Sequence, residues 1–122
     1  MTEKQIENQI LHFLNLQPKT FAWKNNSVGI FDPVNKNFRK KGRFNINGVS
    51  DILGVTDRQF FVIEVKDPKR KMNVSDEQKA FLRKISGLGH QAAVVCSLDE
   101  AVIFYGGIRD GSFVGRNENR WK

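Results

Sequence analysis

Cysteine is nearly absent from this chain: Cys96 is the only one among 122 residues. A single thiol excludes an internal disulfide and any zinc site built from thiolates. Its place after Ala93-Val94-Val95 marks it as a small buried hydrophobe in a reducing compartment. Histidine is almost as scarce. His12 and His90 stand alone, with no second imidazole at ligand spacing, and read as structural residues. Pro18, Pro33 and Pro68 punctuate the chain without forming a linker. No apolar run reaches the length of a membrane span, and the chain turns polar within two residues of Met1, against a signal peptide. Repeats and low-complexity segments are also missing. The remaining composition, 39% hydrophobic with ten Phe and two Trp, excludes disorder. The expectation is a single domain over residues 1–122, large enough for one core and too small for two.

Charge is plentiful and one-sided. Twenty Lys and Arg against 13 Asp and Glu give +7, a balance that favours a polyanionic partner. The cations are also grouped. Lys36, Arg39, Lys40, Lys41 and Arg43 form one cluster, and Lys69, Arg70 and Lys71 another. By default they are ordinary loop charges. Their placement on either side of the acidic residues described next favours phosphate binding.

Phe60-Phe61-Val62-Ile63-Glu64-Val65-Lys66 is a run of aromatic and β-branched residues that reads as a buried strand. A carboxylate and an ammonium two residues apart share one face of such a strand. Burying them costs several kcal/mol per ion unless they are paired or metal-bound. Asp51 lies in a shorter run, Val49 to Val55, separated from the first by the turn-like tetrad Thr56-Asp57-Arg58-Gln59. The two runs predict an antiparallel hairpin, and counting back from the turn brings Asp51 opposite Glu64. Alone, Asp51 would be a strand-edge aspartate, and Glu64 with Lys66 a surface ion pair. The apolar neighbours leave little room for a solvated face. Two carboxylates and a lysine at one end of a hairpin make a divalent-metal site with a water-activating ammonium.

Around this pair the chain reads as α, β-meander, α, β, α. Residues 2–16 have helical apolar spacing at Ile6, Ile10, Phe13 and Leu14, with Thr2 as N-cap. Phe21 to Lys24 and Ser27 to Phe31 read as extended, Asp32 to Asn37 as a loop, and Phe44 to Ile46 as extended before a Gly48 turn. A second helix is expected over 76–88, with Ser75 and Gln78 at capping-box spacing. Ala92 to Cys96 reads as a strand buried on both faces and parallel to the Glu64 strand. Ser97 is expected to cap a short helix through Phe104. The Gly-rich end from Gly106 onward is the least informative part. This order predicts an α/β fold with a mixed sheet between helices.

Four pieces of the sequence resemble, in order, the PD-(D/E)XK nuclease superfamily, and within it the VRR-NUC (virus-type replication-repair nuclease) family of free-standing phage and bacterial type. Glu7 opens Glu-Asn-Gln-Ile-Leu-His-Phe-Leu on the first helix. Gly48-Val49-Ser50-Asp51-Ile52 resembles the family's Gly-x-(Pro/Ser)-Asp-(Ile/Leu). Ile63-Glu64-Val65-Lys66 resembles its (Ile/Val)-Glu-(Val/Ala)-Lys. Val74-Ser75-Asp76-Glu77-Gln78 resembles its Leu-Ser-x-x-Gln, followed by Gly89-His90-Gln91 entering a strand. Ser50 replaces the proline of the superfamily's name, which is not a ligand.

The resemblance implies a restriction-endonuclease-like core with α-βββ-α-β-α order and a catalytic set of Glu7, Asp51, Glu64, Lys66 and Gln78. Glu3, one turn before Glu7, is a rival for the first-helix carboxylate, and Gln78 reads equally as half of a capping box. Carboxylates with a backbone carbonyl suit Mg²⁺ or Mn²⁺. Asp51, Glu64 and the Val65 carbonyl are assigned as ligands, with Glu7 on a second metal or an outer-shell water. The expected function is metal-dependent DNA endonuclease activity, selective for branched or four-way-junction DNA and relevant to DNA repair. A general or restriction-type nuclease, an RNA-processing nuclease and a non-catalytic nucleic-acid-binding module of the same fold are the alternatives. A cytoplasmic location in a bacterial or phage-infected cell is expected. So is a homodimer, because symmetric cuts in a junction need two sites, and Phe21, Trp23, Phe31, Phe38, Phe44, Phe113 and Trp121 lie largely outside the main elements.

Overall fold

Thr2 begins the first helix by a reciprocal cap. Its hydroxyl accepts the Gln5 N–H at 3.2 Å, and the Gln5 side chain accepts the Thr2 N–H at 2.8 Å. Two of the helix's four unpaired amide donors are thereby satisfied. The computed structural model describes residues 1–26, 31–32, 34, 37–38, 46–69 and 72–122. In it α1 runs Glu3–Asn15 and turns Ile6, Ile10 and Leu14 inward. There follow β1 (Phe21–Lys24), a two-stranded ribbon of β2 (Phe31–Asp32) and β3 (Asn37–Phe38), then β4 (Ile52–Val55) and β5 (Phe60–Val65). Then come α2 (Asp76–Gly87), β6 (Gln91–Val95), α3 (Leu98–Asp110) and a 3₁₀ turn at Glu118–Arg120. The expected extended run at residues 27–30, most of the loop after Asp32 and the segment 39–45 lie outside the described residues.

The fold is α/β: a four-stranded mixed sheet in the order β1-β4-β5-β6, flanked by helices. This architecture is compatible with a restriction-endonuclease-like core. β4 and β5 form the expected hairpin, antiparallel and in the register Ile52↔Ile63 and Val55↔Phe60. Its turn closes where Gln59 O accepts the Thr56 N–H at 2.8 Å. β6 runs parallel to β5, with Glu64↔Val94 and Val65↔Val95, because α2 carries the chain back to the starting end of the sheet.

The strand period of two divides the core in half. Phe61, Ile63, Val65, Ala93 and Val95 face α1 and α3 and meet Ile6, Ile10 and Phe104. Val62, Ala92 and Val94 face the other way, toward Leu82 of α2 and Trp121. β5 and β6 are therefore covered on both faces, which explains their nearly unbroken apolar runs.

Three expectations change. Asp51 precedes β4 by one residue, its carbonyl taken by the Asn25 N–H at 2.8 Å, so it lies at the mouth of the hairpin and not within the strand. α3 is three turns long and passes through Gly106 and Gly107, which the sequence presents as breakers. A Cβ at Gly107 would stand 2.6 Å from Val114 N, because the tail folds back across that point. The C-terminal segment is anchored: Trp121 is fully buried, and its indole N–H donates to Arg116 O at 2.9 Å. Among the described residues, no helix is long and apolar enough to cross a membrane.

Candidate functional site

The hairpin register sets the site. With Ile52 opposite Ile63, the next row outward aligns Asp51 with Glu64. Asp51 Oδ2 accepts the Val65 N–H at 2.7 Å, so a side-chain bond extends the ladder one step past β4. One carboxylate oxygen is thus fixed to the backbone of the Glu64-Val65-Lys66 triplet, and the Asp51 side chain also hydrogen-bonds that of Glu64. The approach to Asp51 depends on Gly48. It adopts φ +78, and a Cβ there would lie 2.4 Å from the Glu77 carbonyl carbon. Only glycine lets this loop lie against the first turn of α2. Between them, Ser50 is fully buried, its hydroxyl without a partner among the described residues.

Glu64 is 2% exposed, and its Oε1 has no partner among the described residues. Burial, followed by hydrogen bonding to Asp51 and the Asp51 charge, pushes its carboxyl up to about 10; Lys66 acts in the opposite direction. Lys66 Nζ stands 4.0 Å from Glu64 Oε2 and donates to Gln78 Oε1 at 3.1 Å. Gln78 Oε1 also accepts the Ser75 N–H at 3.0 Å, and the Gln78 N–H donates to Ser75 Oγ at 3.1 Å. Gln78 is therefore both half of the α2 capping box and the group that holds the lysine head.

On α1, Glu7 is the buried carboxylate and Glu3 the exposed one. Glu7 is 7% exposed and pairs with Lys24 at 3.8 Å. Burial raises its carboxyl most, Asp51 adds to that, and Lys24 counters it. Glu3 Oε1 instead accepts the Asp67 N–H at 3.1 Å, just beyond β5. Glu7 thus feels Asp51 but is not gathered with it: among the described residues, no three Asp, Glu, His or Cys side chains group closely enough to hold a metal ion. Lys24 is nearly silent in the sequence. Its one signal was a cation ending the short Phe-Ala-Trp-Lys strand, and only the pairing of β1 with β4, Lys24 opposite Ile52, brings it to this end of the sheet.

Of the expected phosphate-binding residues, Lys69 lies exposed in the turn after β5, its N–H donating to Asp67 Oδ1 at 2.9 Å. Lys36, Arg39, Lys40, Lys41, Arg43, Arg70 and Lys71 lie outside the described residues. His90 packs edge-on to Phe60, with ring centroids 6.0 Å apart, a structural role.

Asp51 and Glu64 are hard oxygen donors of the kind divalent cations take, one with a buried oxygen that no described residue bonds, but among the described residues they are two carboxylates and not a group of three. Two carboxyl groups this close cannot both ionise comfortably without a counter-charge. Compared with models of known families the chain matches none, and a search of curated proteins finds no match either.

Proposed function

We propose that this protein is a metal-dependent nuclease of the PD-(D/E)XK type, hydrolysing DNA phosphodiester bonds with Mg²⁺ or Mn²⁺, as its resemblance to the virus-type replication-repair nucleases implies. The observation that carries this reading is Glu64. A carboxylate held at 2% exposure beside Asp51, with a buried oxygen that no described residue bonds, is costly in a purely structural role. Beside a cation, the same carboxylate becomes a ligand. Asp51, Glu64 and the carbonyl of Val65 would hold that cation, with Glu7 at the margin, where Lys24 offsets its burial. When bound, the cation supplies Lewis acidity to the phosphate and to the attacking water.

The chain's own groups do the rest. Gln78 aims the Lys66 ammonium beside Glu64. From there it orients water for in-line attack and stabilises the charge that grows on phosphate oxygens. Lys69 and the neighbouring basic residues provide sequence-independent contacts to the backbone. Contacts of that kind read the phosphate backbone and not base order, so selectivity would come from DNA shape, with branched or four-way-junction DNA as substrate.

A homodimer is part of this proposal. Phe21 and Trp23 lie on β1 at an edge of the four-stranded sheet, 62% and 37% exposed, with ring centroids 5.4 Å apart. Apolar rings left in water on a sheet edge favour a second copy. The proposed location is the cytoplasm.

Four-way, flap and linear duplex DNA incubated with Mg²⁺, Mn²⁺ or EDTA test the proposal. Cleavage is expected only with a divalent cation, leaving 5′-phosphate ends and favouring the junction. Intact DNA under every condition would refute the nuclease reading. A monomer in sedimentation, cutting linear DNA equally well, would refute the dimeric junction form alone.

A further inference from the structure

Two hollows open beside Asp67, and the hydrolysis proposed above uses neither of them fully. The smaller, about 330 Å³, is bordered by Glu3, Glu7 and Asp67 at the start of α1. The larger, about 430 Å³, has Asp67 as the shared wall and extends past Pro68 and Lys69 to the junction of β6 with α3. Its interior is lined by Ile6, Cys96 and Leu98, while Gln9, Pro68 and Asp99 lie exposed at its mouth. That volume lies within the roughly 300–1,000 Å³ of small-molecule sites, which share its apolar lining and few polar groups.

Position identifies the occupant. Lys66 and Lys69 are three residues apart, at most about 10 Å of extended chain. A strand whose phosphate lies at Lys66 and whose next phosphates run toward Lys69 would pass the mouth of this cavity within a few nucleotides. Lys69 at the rim complements the phosphate, and the apolar interior complements a base face. A base stacked in a duplex has both faces covered and cannot enter.

We propose that this cavity receives one unstacked nucleobase of the strand bound at Lys66, so that the preferred substrate has an unpaired or frayed nucleotide beside the cut. The inference rests on the nuclease reading for where the strand lies. The Gln9 amide can both donate to and accept from a base edge, and the Asp99 carboxylate accepts from the exocyclic amines of adenine, cytosine or guanine. Extracting a paired base costs a few kcal/mol, and a nucleotide already unpaired at that position avoids the cost.

The test scans a branched DNA with single abasic nucleotides, one position at a time, and reads binding by fluorescence anisotropy in EDTA, where cleavage does not contribute. Wild-type protein is expected to bind roughly 5- to 150-fold more weakly when one particular base is removed. Gln9→Trp and Asp99→Trp, both at exposed positions, fill the mouth, and in each the penalty at that position should vanish. A flat scan, or an identical penalty in both variants, would overturn the pocket. Cleavage in Mg²⁺ is measured separately, so a protein that cuts DNA but gives a flat scan refutes only the pocket. A protein with a base-specific position but no cleavage under any cation refutes only the nuclease.

Discussion

Glu64 concentrates the energetics of the site in one side chain. Its carboxyl is raised from an ordinary 4.5 to about 10, foremost by burial and then by Asp51, so the folded protein keeps a proton that the unfolded chain gives up. Stability therefore falls as pH rises through the window from about 4.5 to about 10, because the unfolded state binds fewer protons there. In EDTA the melting temperature should decline between pH 6 and pH 9. Glu64→Gln should flatten that slope and gain stability at the alkaline end, because a neutral amide needs no proton taken up on folding. A slope unchanged by the substitution would show that Glu64 is not the group concerned. Lys66 has a different kind of role. Its ammonium is held by Gln78 near Glu64, where it acts as charge develops on the phosphate. Lys66→Ala should reduce cleavage by at least about 10²-fold while DNA affinity and melting temperature stay close to wild type. Turnover at the wild-type rate would remove the lysine from the mechanism.

At the level of elements, the site is a contact between a hairpin and the first turn of a helix. Ser75 and Gln78 cap α2, and the backbone of Glu77 is the surface against which Gly48 lies. Gly48→Ala meets both a left-handed φ and a backbone contact, and should cost about 1–3 kcal/mol from strain. Because the loop it would displace carries Asp51, Mn²⁺ affinity should fall with it in calorimetry. Gly87→Ala is the control: open space surrounds its Cβ position, and the change should be neutral or slightly stabilising. Equal losses in the two variants would mean that the close approach at Gly48 is irrelevant. The cap separates two effects in the same way. Ser75→Ala should lower stability by about 1 kcal/mol and leave cleavage nearly intact, whereas Gln78→Ala should lower cleavage further because it also frees the lysine head.

The whole molecule is closed by its C-terminal segment. Arg120 makes two bonds to Glu100, at 2.8 and 2.9 Å, and a third to Val94 O at 3.0 Å, where Asn117 also donates at 2.9 Å. Glu100 in turn accepts the Cys96 N–H at 2.6 Å, and the Arg120 bond foremost holds its carboxyl below the usual range. Trp121 then completes the α2-side core with Val62, Leu82 and Val94. Trp121→Ala should destabilise the protein by about 3–5 kcal/mol, seen as a lower denaturant midpoint. Lys122→Ala, at an exposed end, should change it by no more than about 0.5 kcal/mol. A small effect at Trp121 would mean that the segment is an appendage and not part of the core.

What the sequence determined by itself is whatever depends on neighbours a few residues apart. Thr2 with Gln5 and Ser75 with Gln78 marked helix starts through three-residue spacing. Alternation put Glu64 and Lys66 on one strand face, and the Thr56–Gln59 turn fixed the register that aligns Asp51 with Glu64. The charged pair was visible because its apolar surroundings made it anomalous. Tertiary structure alone decided the rest. It turned Glu7 inward to Lys24 and left Glu3 on the surface, directed Lys66 to Gln78, and placed Gly48 against a backbone thirty residues away in sequence. It also carried α3 through two glycines and buried Trp121. These outcomes depend on which faces of helix and sheet meet. That choice is made by burying area across the whole core, where packing outweighs the roughly 1 kcal/mol of a local preference.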